Sequence, residues 1–202
     1  AVLRRLGLDI DILPPGADLE GYELVLIPGL PHVSDALLGA LEAGSAEVIC
    51  LCRTGSKTES FQSPRELPPA GLQAHLPLKV TRVESLRPGV KEAVEHNGAT
   101  LAVERWRETV ETGLTARARY VDGAPFWLSE GRWHYLAGWP EGELLGHVVA
   151  EIAVGRGLHV LLTPQDVRLR RLGDLRFAFN YGPEPVSLDG LAPADADFGM
   201  GG

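Results

Sequence analysis

Apolar residues along this chain follow two rhythms, and the change between them divides it. Tyr22–Pro28 and Ala46–Cys52 are continuous apolar runs bounded by turn residues, the pattern of strands buried on both faces of a parallel sheet. Between them, after Gly29-Leu30-Pro31, Ser34 can cap a helix that runs to about Ala43 with Leu37, Leu38 and Leu41 on one face. Upstream, Val2–Gly7 reads as the last turns of a helix closed by Gly7. Asp9–Leu13 then alternates as a short strand before Pro14-Pro15-Gly16. Short turns and this order of elements predict an open α/β sheet with its loops gathered at the carboxyl ends of the strands.

From Leu78 to Gly138 the rhythm becomes alternation. Thr115–Val121, Pro125–Leu128 and Arg132–Ala137 read as strands, with Asp122-Gly123 and Glu130-Gly131 as hairpin turns, so antiparallel strands are expected at the edge of the sheet. Glu141–Val154 returns to helical spacing, with Leu144, Leu145, Val148, Val149 and Ile152 on one stripe, and Gly155-Arg156-Gly157 closes it. A domain over residues 1–157 is the natural division. Beyond it, Val167–Arg171, Asp174–Asn180 and Pro185–Leu188 read as a short β segment, too small to be stable alone. The Ala, Pro, Asp and Gly-rich end after Asp189 reads as disordered or as an arbitrary terminus.

Composition narrows the function classes. The 202 residues can bury a real core, but they fall short of the roughly 250 that an α/β barrel needs. A net charge of −8 gives no electrostatic reason to bind nucleic acid or an anionic membrane, and no apolar run approaches a membrane span. Cys50 and Cys52 lie two apart on one strand, roughly 6–7 Å along it, which strains a disulfide. Reduced thiols and the absence of a secretory leader pattern suggest a cytoplasmic setting. The chain opens at Ala1, without Met, inside what reads as the middle of a helix, so a fragment is expected.

The stretch Val48–Lys57 advertises two chemistries, and neither pattern is complete. A phosphate loop needs a glycine before its lysine and a helix behind it. Here Ser56 precedes Lys57, Leu51 stands where the first glycine belongs, and Pro64, Pro68 and Pro69 break up the segment where that helix would run. A nucleophilic Cys52 needs a tight glycine elbow before a helix, yet Cys50 and Thr54 flank it, and the bases available in principle, His134 and His147, fall in a strand and a helix. Buried structural thiols are the favoured reading of both cysteines.

His32, His75, His96, His134, His147 and His159 show no ligand spacing, so no metal or cofactor is expected. Carboxylate pairs such as Glu141/Glu143 and Asp195/Asp197 read as helix-start and solvated charge. The aromatics concentrate between Trp106 and Trp139. Core packing accounts for most of them, sugar stacking is the alternative, and Trp139-Pro140 at a strand end is a candidate contact surface.

Six motifs in order carry a resemblance: Leu6–Pro15, Tyr22–Pro28, Arg53-Thr-Gly-Ser-Lys-Thr58, Glu104-Arg-Trp106, Tyr135-Leu-Ala-Gly-Trp-Pro140, and Val167-Arg-Leu-Arg with Phe177-Ala-Phe-Asn-Tyr181 behind it. Together they resemble the non-catalytic middle domain of glycoside hydrolase family 42 β-galactosidases, with the last motif similar to the start of that family's C-terminal all-β domain. The resemblance implies a flavodoxin-like or class I glutamine amidotransferase-like open sheet with antiparallel additions over residues 1–157, and a partial all-β domain over 158–202. It also implies that the domain's first strand and the last C-terminal strands lie outside this chain.

The function implied is non-catalytic oligomerisation. The expected partners are further copies of the same chain, as a homotrimer, and the catalytic barrel that carries the glutamates. Interface candidates are the loop Arg53, Thr54, Gly55, Ser56, Lys57 and Thr58, with Trp106 and Trp139. Two other classes remain open from the residues: a stand-alone amidotransferase-like hydrolase using Cys52, and a carbohydrate-binding module using the tryptophans.

Overall fold

The computed structural model of the protein describes residues 2–187. It divides into two compact units, one formed by Leu13–Leu144 and the other by the described residues of 1–12 and 145–202. In chain order the elements are α1 (Val2–Arg5), β1 (Leu24–Ile27), α2 (Asp35–Ala43), β2 (Glu47–Leu51), β3 (Leu78–Ser85), β4 (Lys91–His96), β5 (Ala99–Thr112), β6 (Ala116–Tyr120), β7 (Pro125–Glu130), β8 (Trp133–Leu136), β9 (Gly138–Pro140), α3 (Gly142–Gly155), β10 (Val167–Leu172) and β11 (Leu175–Asn180).

The larger unit is built on one mixed nine-stranded sheet of order β1-β2-β8-β7-β6-β4-β5-β3, with β9 pairing β5. β1, β2 and β8 are parallel; from β7 outward every pairing is antiparallel. The residues of β8 read as one more antiparallel strand in the sequence. In the fold β8 is the hinge of the sheet, parallel to β2 on one side and antiparallel to β7 on the other.

Ser34 caps α2 as expected, its hydroxyl accepting from the Leu37 amide at 3.2 Å. Leu37 and Leu41 then enter a core with Ile27, Val48, Cys50, Leu128 and Tyr135. In β2, Val48, Ile49, Cys50 and Leu51 are all buried, so both faces of that strand are covered. Asn97 and Gly98, both at positive φ, close the β4–β5 hairpin as a two-residue turn of the primed kind.

Strand β5 carries the feature that shapes the rest. Its buried positions are odd-numbered at first, Leu101 and Val103, and even-numbered afterwards, with Glu108 buried and Trp106 and Val110 partly so. The phase changes at a bulge, where the register with β9 jumps between Glu104 and Arg107 and Arg105 takes φ 63°. Arg105 and Trp106 are both left without a β9 partner there, and beyond them Glu108 faces inward. Unbroken alternation from Leu101 and Val103 would put Glu108 on the other face.

In the second unit, α1 ends in a turn with Gly7 at φ 70°, and β10 and β11 form a hairpin through Gly173 at φ 59°. Helix α3 begins in the larger unit, and Leu144, Val148, Val149 and Ile152 of its apolar stripe are buried. The expected strand at Asp9–Leu13 is absent. That segment is held by single contacts, Arg171 N–H to the Asp9 carboxylate and the Arg170 guanidinium to the Ile10 carbonyl, and Ile12 is 92% exposed. Pro14 and Pro15, lacking N–H groups, stop any ladder beyond it. Residues 185–187 are likewise not a strand, while Leu188 and the end expected to be disordered lie outside the described residues.

Candidate functional site

Open α/β sheets concentrate function where parallel strands end at their carboxyl edge. Strand β2 ends at Leu51 and delivers Cys52 and Arg53 there, the latter in the left-handed region at φ 72°. A non-glycine residue in that conformation persists when its surroundings hold it. The holder is Glu108, 1% exposed, whose Oε1 accepts the Arg53 amide at 2.9 Å and whose Oε2 accepts the Tyr135 hydroxyl at 2.6 Å. Burial raises the Glu108 carboxyl above its ordinary value. The hydrogen bonds from Tyr135 and Arg53 and the Arg53 charge act against that rise.

Cys52 is fully buried beside this carboxylate. Burial pushes its thiol well above the usual range, the Glu108 charge adds to the effect, and Arg53 opposes it. Cys50, in the core, is pushed up to about 12 by burial. A nucleophilic cysteine needs the reverse arrangement, with an accessible thiol, a cationic neighbour that wins and a base.

His134, one base available in the sequence, is committed elsewhere. The Trp127 indole, which can only donate, gives its N–H to His134 Nδ1 at 3.2 Å. Nε2 then carries the ring proton and donates to the Glu47 carboxylate at 3.0 Å. The other base, His147, is exposed on α3.

The Gly-Ser-Lys-Thr loop is woven into the domain rather than open to a phosphate. The Thr54 hydroxyl donates to the Leu51 carbonyl at 2.6 Å, Gly55 N–H to Leu30 O at 3.0 Å, and Lys57 N–H to Pro31 O at 2.8 Å. Gly55, at φ 66°, accepts from the Ala70 amide, and a Cβ there would stand 2.7 Å from the Ala70 carbonyl oxygen. That close approach explains the glycine without any ligand. Thr54, Gly55 and Ser56 are buried, whereas Arg53, Lys57 and Thr58 reach the surface in part.

The tryptophans separate into two groups. Trp127 and Trp133 are buried, and Arg117 and Arg132 stack on them. Trp106 and Trp139 lie at the carboxyl edge and are partly exposed. The Arg53 guanidinium sits 5.2 Å from the Trp106 ring centre and that of Arg105 5.8 Å from Trp139. Trp139 also lies over Gly29, where a Cβ would come within 3.6 Å of its ring and 2.8 Å of the Cys52 carbonyl oxygen. The bulge at Arg105-Trp106 therefore completes a patch of two stacked Arg/Trp pairs. Each of these two rings thus has a guanidinium group over one face.

Sequence reasoning singled out Arg53, Trp106 and Trp139 but missed Glu108 and Arg105, which set the patch. The signal was present: the apolar alternation of Leu101 and Val103 changes phase before Trp106 and Val110. Among the described residues, no three His, Cys, Asp or Glu side chains gather to hold a metal ion, and no helix is long and apolar enough to cross a membrane.

Comparison with known proteins gives concordant matches. The family described as the β-galactosidase trimerisation domain matches residues 1–159. A β-galactosidase of Thermus sp is 49% identical over 202 residues, covering 100% of this chain and 31% of that protein. One from Thermus thermophilus is 49% identical over 186 residues, covering 92% and 29%. The crystal structure of the β-galactosidase from the psychrophilic Marinomonas ef1 aligns with a TM-score of 0.93 at 33% identity, over 100% of this chain and 30% of its own. The chain thus spans under a third of the length of these relatives.

Proposed function

Since the chain belongs to the β-galactosidase trimerisation domain family, we propose that it is the non-catalytic assembly domain of a β-galactosidase-type glycoside hydrolase, joining three copies and seating the catalytic barrel of the same protein. The observation that carries the non-catalytic part is the closed strand end: Cys52 is buried against Glu108 where a related sheet would expose a nucleophile. β1, β2 and β8, with the helix α2 between the first two in sequence, form the part that we read as flavodoxin-like or amidotransferase-like, with β3–β7 and β9 added to the sheet. Residues 158–202 then begin a further all-β domain, of which the β10–β11 hairpin is the described portion.

In this reading galactoside hydrolysis takes place on the barrel, where two carboxyl groups are held about 5–5.5 Å apart in a retaining enzyme. The domain supplies position and contact surface. Arg53, Lys57, Thr58, Trp106 and Trp139 are its contact residues.

Alkylation tests the closed site. Cys52 in the native protein is expected to react with iodoacetamide at neutral pH about tenfold or more slowly than free cysteine. Cys52→Ala is expected to leave galactoside turnover by the full-length protein within about twofold, below roughly 0.5 kcal/mol in the barrier. A thiol reacting faster than free cysteine, together with lost turnover, would restore the hydrolase reading.

A further inference from the structure

Charge is distributed unevenly along this chain. Residues 6–52 hold eight carboxylates and no lysine or arginine, so this quarter of the sequence alone accounts for the whole net charge of −8. The fold places part of that charge at one edge. Asp18, Glu20 and Glu23 are exposed just ahead of β1, at the amino edge of the parallel strands. Glu42 and Glu47, near the same edge, are engaged by His75 and His134.

At the opposite, carboxyl edge lie Arg53 and Lys57 after β2, joined by Arg105 over Trp139. The Arg105 side chain is 65% exposed, and its ion pair with Glu104, at 3.3 Å, is of the solvated kind that contributes little. Two guanidiniums held over tryptophan rings lose less freedom on binding than free side chains, and Arg and Trp are the side chains most often found at the energetic centre of an interface.

We infer that the Arg53/Arg105/Trp106/Trp139 patch docks head-to-tail on the Asp18–Glu23 edge of a second copy of this chain. This rests on the assembly reading and supplies its pairing rule. A closed three-fold ring cannot use one self-complementary patch, because each copy must offer two different surfaces to its neighbours. Opposite charges at opposite edges of one sheet meet that requirement. They also oppose the wrong pairings, patch against patch and edge against edge.

Charge exchange in the full-length protein tests it, with native mass as the readout and circular dichroism confirming the fold of each variant. Lys57→Glu with Arg105→Glu, and separately Glu20→Lys with Glu23→Lys, are each expected to weaken assembly about tenfold or more at low salt. All four substitutions in one chain are expected to restore it. If wild type assembles but the paired reversals leave its mass unchanged, or if the fourfold variant is weaker than either, the pairing is wrong while trimer assembly stands. If wild type itself stays a protomer, the assembly reading fails, and the pairing with it.

Discussion

Gly138→Ala is expected to cost about 3–5 kcal/mol, from overpacking together with loss of a buried hydrogen bond. Gly138 opens β9 and is buried. A Cβ there would land on the Tyr120 hydroxyl and stand 2.9 Å from Val103 Cγ1 and 3.2 Å from the Trp106 carbonyl oxygen. Tyr120 cannot retreat freely, because it is buried, edge-on to Phe126, and donates to the Ala137 carbonyl at 2.8 Å. The crowded neighbours are the ones that set the bulge of β5, so the Arg/Trp patch should loosen together with the fold. A fall in melting temperature of roughly 10 °C is expected. Gly39→Ala is the internal control: it lies inside α2 with open space around it, and there alanine should stabilise by about 0.5–1 kcal/mol. Two alanines with the same sign of effect would show that the close approach at Gly138 is not what fixes this strand.

Glu108→Ala is expected to destabilise by about 2–4 kcal/mol, because it strands the Arg53 amide and the Tyr135 hydroxyl, two donors without an acceptor in a buried place. Glu108→Gln keeps an oxygen for the Arg53 amide and loses only the acceptor of the Tyr135 hydroxyl, so its cost should be smaller, about 1–2 kcal/mol. The two variants also separate in their response to pH. Burial raises the folded carboxyl above its unfolded value, so over a window that starts at the ordinary carboxylate range and ends at the raised one, the folded chain holds a proton that the unfolded chain has released. The unfolded state binds fewer protons there, and stability falls as pH rises through the window. Urea denaturation across the acid range should show that decline in wild type and a flatter profile in Glu108→Gln. Identical slopes would mean that Glu108 ionises as freely in the fold as out of it.

Much of the fold was legible wherever a pattern is local. Ser34 before an apolar helical stripe, the doubly buried run of β2, and the Asp122-Gly123 and Glu130-Gly131 turns are short-range signals, and the structure contains each of them. The apolar run of β1 is a strand too, but it lies at the edge of the sheet and only Ile27 is fully buried. The false strand at Asp9–Leu13 shows the limit of alternation alone: five residues can alternate with no partner to pair with. The place of β8 was not legible, because parallel pairing with β2 joins residues more than eighty positions apart and leaves no mark in either strand's spacing.

At the strand end, the incomplete elbow around Cys52 and the missing glycine before Lys57 already spoke against catalysis and phosphate binding, and the burial of Cys52 and Thr54 gives the physical reason. Glu108 was hidden for a different reason. A charged residue in an alternating strand is ordinarily placed on the solvent face, and only the irregularity at Arg105-Trp106 reverses that rule.

If this chain is an assembly domain, the mass of the protein that carries it must show it. Light scattering of the full-length protein over a wide concentration range is the most direct test. A mass of three protomers is expected at working concentration, dissociating only on dilution. A single-protomer mass at every concentration would contradict the assembly role.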